Sequence, residues 1–144
     1  MKMQELKRAT ELHILLLLTA LFLGLSSCSN YKYGEVETIY TTNKSIDIVM
    51  LRAKEWLNSR NSKIKSSSSN ELAAKIAIDA ERIAYICDLN ISIDGNMLKM
   101  KTGVEDIIIP NDLIMTDEDG VKEEAKNEIK KEIHDPLIHF INEN

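Results

Sequence analysis

Twelve mostly apolar residues, 14–25 (ILLLLTALFLGL), lie near the start of this 144-residue chain and limit what the rest can fold into. A helix of this length rises about 18 Å, well short of the roughly 30 Å hydrocarbon layer of a bilayer. Lys7 and Arg8 precede the block, and a positive start, a short apolar run and small residues before a cut site are typical of a secretory signal. Removal of residues 1–27 from the 144 leaves 117, enough for one domain with a modest core.

The tetrapeptide that ends this region, Leu25-Ser26-Ser27-Cys28, resembles the lipobox of bacterial lipoproteins: a large aliphatic residue, two small residues and a cysteine. The resemblance implies that a diacylglycerol is joined to the Cys28 sulfur and that a peptidase cuts between Ser27 and Cys28. One acyl chain binds a membrane only marginally, at about 0.8 kcal/mol per buried methylene, so two or three chains make a nearly permanent anchor. An ordinary secretory signal with an incidental cysteine and an uncleaved membrane helix are the alternatives.

The residues after Cys28 bear on the location of such a lipoprotein. Ser29 is not the aspartate that retains lipoproteins in the inner membrane of enteric bacteria, and residues 29–34 (SNYKYG) contain no acidic surface-export signal. The resemblance therefore implies a lipid anchor on Cys28 in the outer membrane, with the protein facing the periplasm. The membrane is then one partner, and an envelope protein is a second expected partner.

The charge and the cysteine content argue against a nucleic-acid partner and against an internal disulfide. Residues 28–144 carry 15 basic and 21 acidic residues, a net charge of −6, so no nucleic-acid partner is expected. Cys87 is the only other cysteine, so an internal disulfide is not available once Cys28 is lipidated. Its apolar neighbours predict that Cys87 is buried.

The first half of the mature chain predicts a strand, a helix and a second strand. Residues 36–42 (VETIYTT) are rich in β-branched residues and favour a strand. Apolar residues at intervals of three and four over 46–57 predict an amphipathic helix that carries Trp56 and is capped by Asn43 or Ser45. Residues 58–70 are polar and predict a loop or a weak edge strand. Residues 71–83 fit a helix in part, but we favour a strand that ends in a turn at 79–81.

A hairpin is the clearest β signal. Residues 85–93 alternate between apolar and polar, Asp94-Gly95 is a strong turn signal, and the alternation resumes over 98–102. Three isoleucines at 107–109 precede Pro110, and we interpret them as a buried strand end rather than an exposed partner-binding edge.

A second amphipathic helix is predicted near the end of the sequence. Apolar residues recur every four residues from Val121 to Ile133, after acidic residues at 117–119 that suit a helix start. Asp135-Pro136 is expected to interrupt this helix before a last short helical segment.

These elements predict an α+β fold in which an antiparallel sheet of about four or five strands has two helices packed on one face. The predicted organisation is a lipoprotein signal peptide at 1–27, a lipidated tether at 28–35 and one domain at 36–144. The early strand, the helix bearing Trp56 and the hairpin at Asp94-Gly95 resemble small bacterial lipoproteins with a TATA-binding-protein-like domain of unknown function. That resemblance implies no catalytic residues.

The sequence presents no set of residues that supports a catalytic site, a cofactor site or a metal site. His134 and His139 are five residues apart across a proline, so they do not share a helix face, and we expect both at the surface. Asp88 and Asp94 fall on one face of a strand about 20 Å apart, too far for paired-carboxylate catalysis. The expected function is a non-enzymatic binding or accessory module, not an enzyme. The alternatives are an envelope-acting hydrolase that gathers His134 and His139, and a structural or surface-antigen lipoprotein.

Overall fold

The computed structural model describes Glu11, residues 31–110 and residues 118–143. The chain divides into two compact units, Met1–Asn30 and Tyr31–Asn144, and the strands and helices given below belong to the second. Ser27, Cys28 and the apolar block lie outside the described residues.

A five-stranded antiparallel sheet forms one layer of the second unit. The spatial order is β1-β5-β4-β3-β2, which places β4 in the middle and β1 and β2 at the edges. The prediction of an antiparallel sheet of four or five strands is confirmed, and the polar segment contributes an edge strand. The strands are β1 (Glu35–Thr41), β2 (Lys63–Ser67), β3 (Glu71–Asp79), β4 (Ala84–Asp94) and β5 (Met97–Ile108).

The predicted hairpin joins β4 and β5, but its turn lies one residue later than the sequence suggested. Asp94 pairs with Met97, and Gly95 and Asn96 form the loop. Gly95 has φ +60° and Asn96 does not have a positive φ. A positive φ at the first loop residue alone is typical of a type II′ turn.

Strand β5 is also longer than the predicted return strand at 98–102. It passes through a β-bulge, because Cys87 pairs with Val104 while Ile86 pairs with Asp106, leaving Glu105 as the extra residue. The predicted burial of the isoleucine run is only partly correct. Ile107 packs against the core, but Ile108 is 57% exposed.

Two helical segments cover one face of the sheet, as predicted. Helix α1 (Ile46–Ser59) packs against β2 and β3, and its N-cap residue is Ser45. Helix α2 (Glu118–Ile129) continues through a π-helical turn (Lys130–His134) into helix α3 (Asp135–Asn142).

The predicted interruption at Asp135-Pro136 is therefore wrong. Asp135 N–H donates to the carbonyl of Lys130, five residues earlier, and this wide turn carries the chain into α3. Pro136 lies in the first turn of α3, where its fixed φ is compatible with the helix.

The π-helical turn also explains how one apolar stripe stays buried along the whole segment. Four residues of an α-helix overshoot a full turn by about 40°, so a strict four-residue repeat drifts around the helix. The wider π turn offsets part of this drift. The repeat consists of the buried residues Val121, Ala125, Ile129, Ile133, Leu137 and Ile141.

The two edges of the sheet differ. Strand β2 carries the exposed Lys63 and Lys65 and a register shift between Ile64 and Ser66, features that discourage further strand pairing. Strand β1 pairs with β5 in an unbroken register and contains no lysine or proline. No described strand pairs with its outer side.

Candidate functional site: the open face of the sheet

The candidate site is the face of the sheet opposite the helices, here called the open face, which no described helix covers. Alternate residues of each strand turn toward it while their neighbours enter the core. On β4 these outward residues include Ile86, Asp88, Asn90 and Ser92, which alternate with buried Tyr85, Cys87, Leu89 and Ile91.

Ion pairs between strands, two of which reach across an intervening strand, neutralise much of the charge on this face. The closest joins Lys75 Nζ and Glu105 Oε2 at 2.6 Å, and the Glu105 hydrogen bond raises the pKa of Lys75. The others have N···O distances of 3.3 Å and join Lys65 to Asp88, Lys99 to Glu37 and Lys101 to Glu35.

A groove of about 320 Å³ crosses the open face between β2 and β5. It offers ammonium, hydroxyl and amide donors together with one carboxylate, so it can bind a ligand that has both anionic and cationic groups. Its polar lining consists of Ser66, Glu71, Asn90, Ser92, Lys99 and Lys101.

Tyr31, which falls in the predicted tether, is docked on the open face. Its hydroxyl lies 3.5 Å from Asp88 Oδ2, and burial together with the Asp88 charge raises the pKa of Tyr31. A Cβ atom at Gly103 would collide with the Tyr31 ring, so the ring occupies the space that a side chain on β5 would otherwise fill. A glycine inside a strand often marks such a close approach, but the sequence alone did not identify Tyr31 as the group involved.

The chain passes from the open face to the core side of the sheet within four residues. Gly34 N–H donates to the Tyr31 carbonyl at 3.3 Å, and Gly34 has φ +103°, which favours glycine. Val104 N–H donates to the Gly34 carbonyl at 3.1 Å, which fixes the turn to β5. Tyr33 packs against the core.

His134 is buried, so the prediction of a surface position for it is wrong. The ring lies between the π-helical turn and the sheet, where Nδ1 is 2.7 Å from Thr38 Oγ1 and Nε2 is 2.8 Å from Thr102 Oγ1. The π-helical turn brings His134 inward beside Ile133. Thr102 is the one sequence signal for this buried histidine. It follows Leu98 and Met100 on the inward side of β5, and a buried hydroxyl needs a hydrogen-bond partner.

Burial lowers the pKa of His134 to about 4, so the ring is neutral near pH 7. A neutral ring donates from one nitrogen and accepts at the other, and the two threonine hydroxyls can fill both roles. This arrangement is a satisfied polar cluster inside the core.

The remaining candidate residues lie apart from one another. His139 is exposed, as predicted, with Nδ1 3.0 Å from Glu143 Oε1. Cys87 is buried, as predicted, and burial raises the pKa of its thiol to about 12. Among the described residues no group of three His, Cys, Asp or Glu side chains could hold a metal ion.

No helix in the described part of the chain combines the length and apolar character needed to cross a membrane.

Comparison with known proteins gives a fold but not a family. No protein-family model matches the chain, and no curated protein matches its sequence. A solved structure of a TBP-like protein from Parabacteroides distasonis ATCC 8503 is similar, with a TM-score of 0.54 and 10% identity over 76% of this chain and 94% of that chain. A solved structure of the protein TTHA0849 from Thermus thermophilus has a TM-score of 0.40 and 10% identity over 74% and 93% of the two chains. The first comparison shows that the α+β fold of this chain is similar to that of a TBP-like protein, in agreement with the resemblance in its early strand, Trp56 helix and hairpin.

Proposed function

We propose that this protein is a lipoprotein of the bacterial envelope, anchored through Cys28 and acting as a non-enzymatic binding or accessory module. The observation that supports the anchor is the tetrapeptide Leu25-Ser26-Ser27-Cys28 directly after a short apolar block. The proposed location is the outer membrane, with the domain in the periplasm.

The open face is the proposed binding surface of this module. It combines a groove of about 320 Å³ with an exposed set of donors and acceptors. The described histidines do not form a catalytic cluster with each other, because His134 is sealed between two threonines and His139 is paired at the surface. The same face carries mixed charge, which does not suit the phosphate backbone of a nucleic acid.

Labelling with an alkyne fatty acid tests the anchor. In bacteria that produce the wild-type protein, we expect covalent label on the protein and recovery of the protein in the membrane fraction. Cys28→Ala should lose both, because no sulfur remains at the acylation position. Cys87→Ala is the matched control, since it removes the other cysteine and should keep both. A wild-type protein without label, or one with label that survives Cys28→Ala, contradicts the proposed anchor.

A further inference from the structure

We infer that the open face is held against the phospholipid headgroup layer of the membrane, and that Tyr31 fixes this orientation. The inference rests on the proposed lipid anchor and names the partner of the open face.

The position of Tyr31 supplies the first argument. Its ring lies against Gly103 and its hydroxyl reaches Asp88, so the start of the described unit is attached to the open face. Only Ser29 and Asn30 separate Tyr31 from Cys28, whose sulfur would carry the lipid, and the three steps from Cys28 to Tyr31 span at most about 11 Å. The helical layer lies on the other side of the sheet, and a helix alone is about 10 Å thick. The short connection therefore keeps the open face, rather than the helices, near the bilayer.

The chemistry of the face supplies the second argument. A zwitterionic headgroup carries a phosphate and an ammonium group. In the groove, Lys99 and Lys101 can donate to the phosphate, while Glu71 can accept from the ammonium group. The side chains of Lys99 and Lys101 are 48% and 46% exposed, so they remain accessible beside their glutamate partners.

Two exposed apolar residues supply the third argument. Ile39 is 54% exposed and Met97 is 46% exposed, and both project from the open face. In the β1–β5 register, Ile39 pairs with Lys99 and Met97 pairs with Thr41, so the two side chains are diagonal neighbours. Apolar side chains beside charged ones are suited to the boundary between headgroups and acyl chains.

Fluorescence quenching in vesicles tests the orientation. The full lipidated protein carries a single introduced thiol at Asn90→Cys on the open face or at Glu55→Cys on the outer side of α1, both of which are exposed positions. Each thiol is labelled with bimane, and the protein is reconstituted into phosphatidylethanolamine–phosphatidylglycerol vesicles that contain headgroup nitroxide lipids. A protein without an introduced thiol checks that buried Cys87 does not take up label. We expect the Asn90 probe to lose most of its fluorescence and the Glu55 probe to lose little.

Loss of the contact between Tyr31 and the open face should reduce the difference in quenching between the Asn90 and Glu55 probes. Tyr31→Ser removes the ring that lies against Gly103, so the domain should reorient and the two probes should be quenched more equally. Lys32→Ser, at the exposed neighbouring position, is the control and should keep the difference.

Equal quenching of the two probes in the acylated protein, or stronger quenching at Glu55, overturns the proposed orientation while leaving the anchor intact. In intact bacteria, cross-linking of position 90 to an envelope protein also overturns it, because the partner of the open face is then a protein. Intact mass separates these outcomes from failure of the anchor, since a protein without acyl chains on Cys28 contradicts the proposed function itself.

Discussion

A single buried histidine shows how one residue links the helices to the sheet. Both ring nitrogens of His134 are bonded to threonine hydroxyls, one on β1 and one on β5. Protonation would turn both nitrogens into donors and place a charge in the core, where Asp135 offers only partial compensation. Folding therefore favours the neutral ring.

The first residue-scale prediction is a loss of stability in mild acid. The pKa of His134 is about 4 in the folded protein and about 6.5 when unfolded, so the unfolded chain binds the extra proton between these values. The contribution is fully present above pH 6.5 and is lost as the pH falls toward 4, by about 3 kcal/mol in total. Urea denaturation at pH 7.0, 5.5 and 4.5 measures this loss.

Two histidine variants test whether His134 is the group that causes this loss of stability. His134→Gln should flatten the pH dependence between pH 7.0 and 4.5, whereas His139→Gln should keep it, because the His139 side chain is 75% exposed. An unchanged slope in His134→Gln would place the titrating group elsewhere.

Two tyrosines supply a second residue-scale prediction. In the described part of the chain, the Tyr85 hydroxyl is buried without a hydrogen-bond partner, and burial raises its pKa to about 12. Tyr85→Phe should therefore increase the free energy of unfolding by about 1 kcal/mol, because an unpaired buried hydroxyl costs free energy. Tyr40→Phe should decrease it by a similar amount, since the Tyr40 hydroxyl accepts from Asn142 at 3.2 Å. Urea denaturation gives both values, and a destabilised Tyr85→Phe would reveal a partner for that hydroxyl.

At the scale of elements, the sequence predicted what depends on local pattern and missed what depends on distant contacts. Alternation along β4 and β5 correctly predicted a hairpin with one buried face, and the open face follows from the same alternation. The pattern failed at the Glu105 bulge, where alternation breaks down. It also did not predict the contact between Tyr31 and Gly103, because these residues are 72 positions apart in the sequence. At the π-helical turn it wrongly predicted that the helix ends, because Pro136 follows.

The π-helical turn carries the element-scale prediction. Deletion of Lys131 should convert the wide turn into an ordinary α-helical turn, because a π turn holds one more residue than an α turn, and it should leave Leu137 and Ile141 on the buried face. We therefore expect the deletion to lower the free energy of unfolding by only about 1 kcal/mol or less. Lys131→Ala is the control and should change the free energy by less than about 0.5 kcal/mol, because the Lys131 side chain is 70% exposed. Urea denaturation measures both, and a deletion that costs about 4 kcal/mol or more would mean that Leu137 and Ile141 have turned away from the core.

At the scale of the whole molecule, Cys87 can report on global unfolding. It lies in β4, the middle strand of the sheet, which pairs with strands on both sides, and its side chain is fully buried. The thiol should therefore react with a disulfide reagent only when the sheet opens. In Cys28→Ala protein, the free energy from the reaction rate should match that from urea denaturation within about 1 kcal/mol. Ser66→Cys at the exposed edge should react rapidly without unfolding. Fast reaction of Cys87 in the native protein would reveal local opening of the central strand.

The contrast between the two sheet edges determines how far the sheet can be extended. The lysines and the irregular register of β2 oppose strand addition there, while the outer side of β1 presents regular main-chain groups. A second copy that joined through β1 would satisfy those groups and leave only the two β2 edges outside. Growth would stop at a closed pair with two-fold symmetry, and a fibre could not propagate from it.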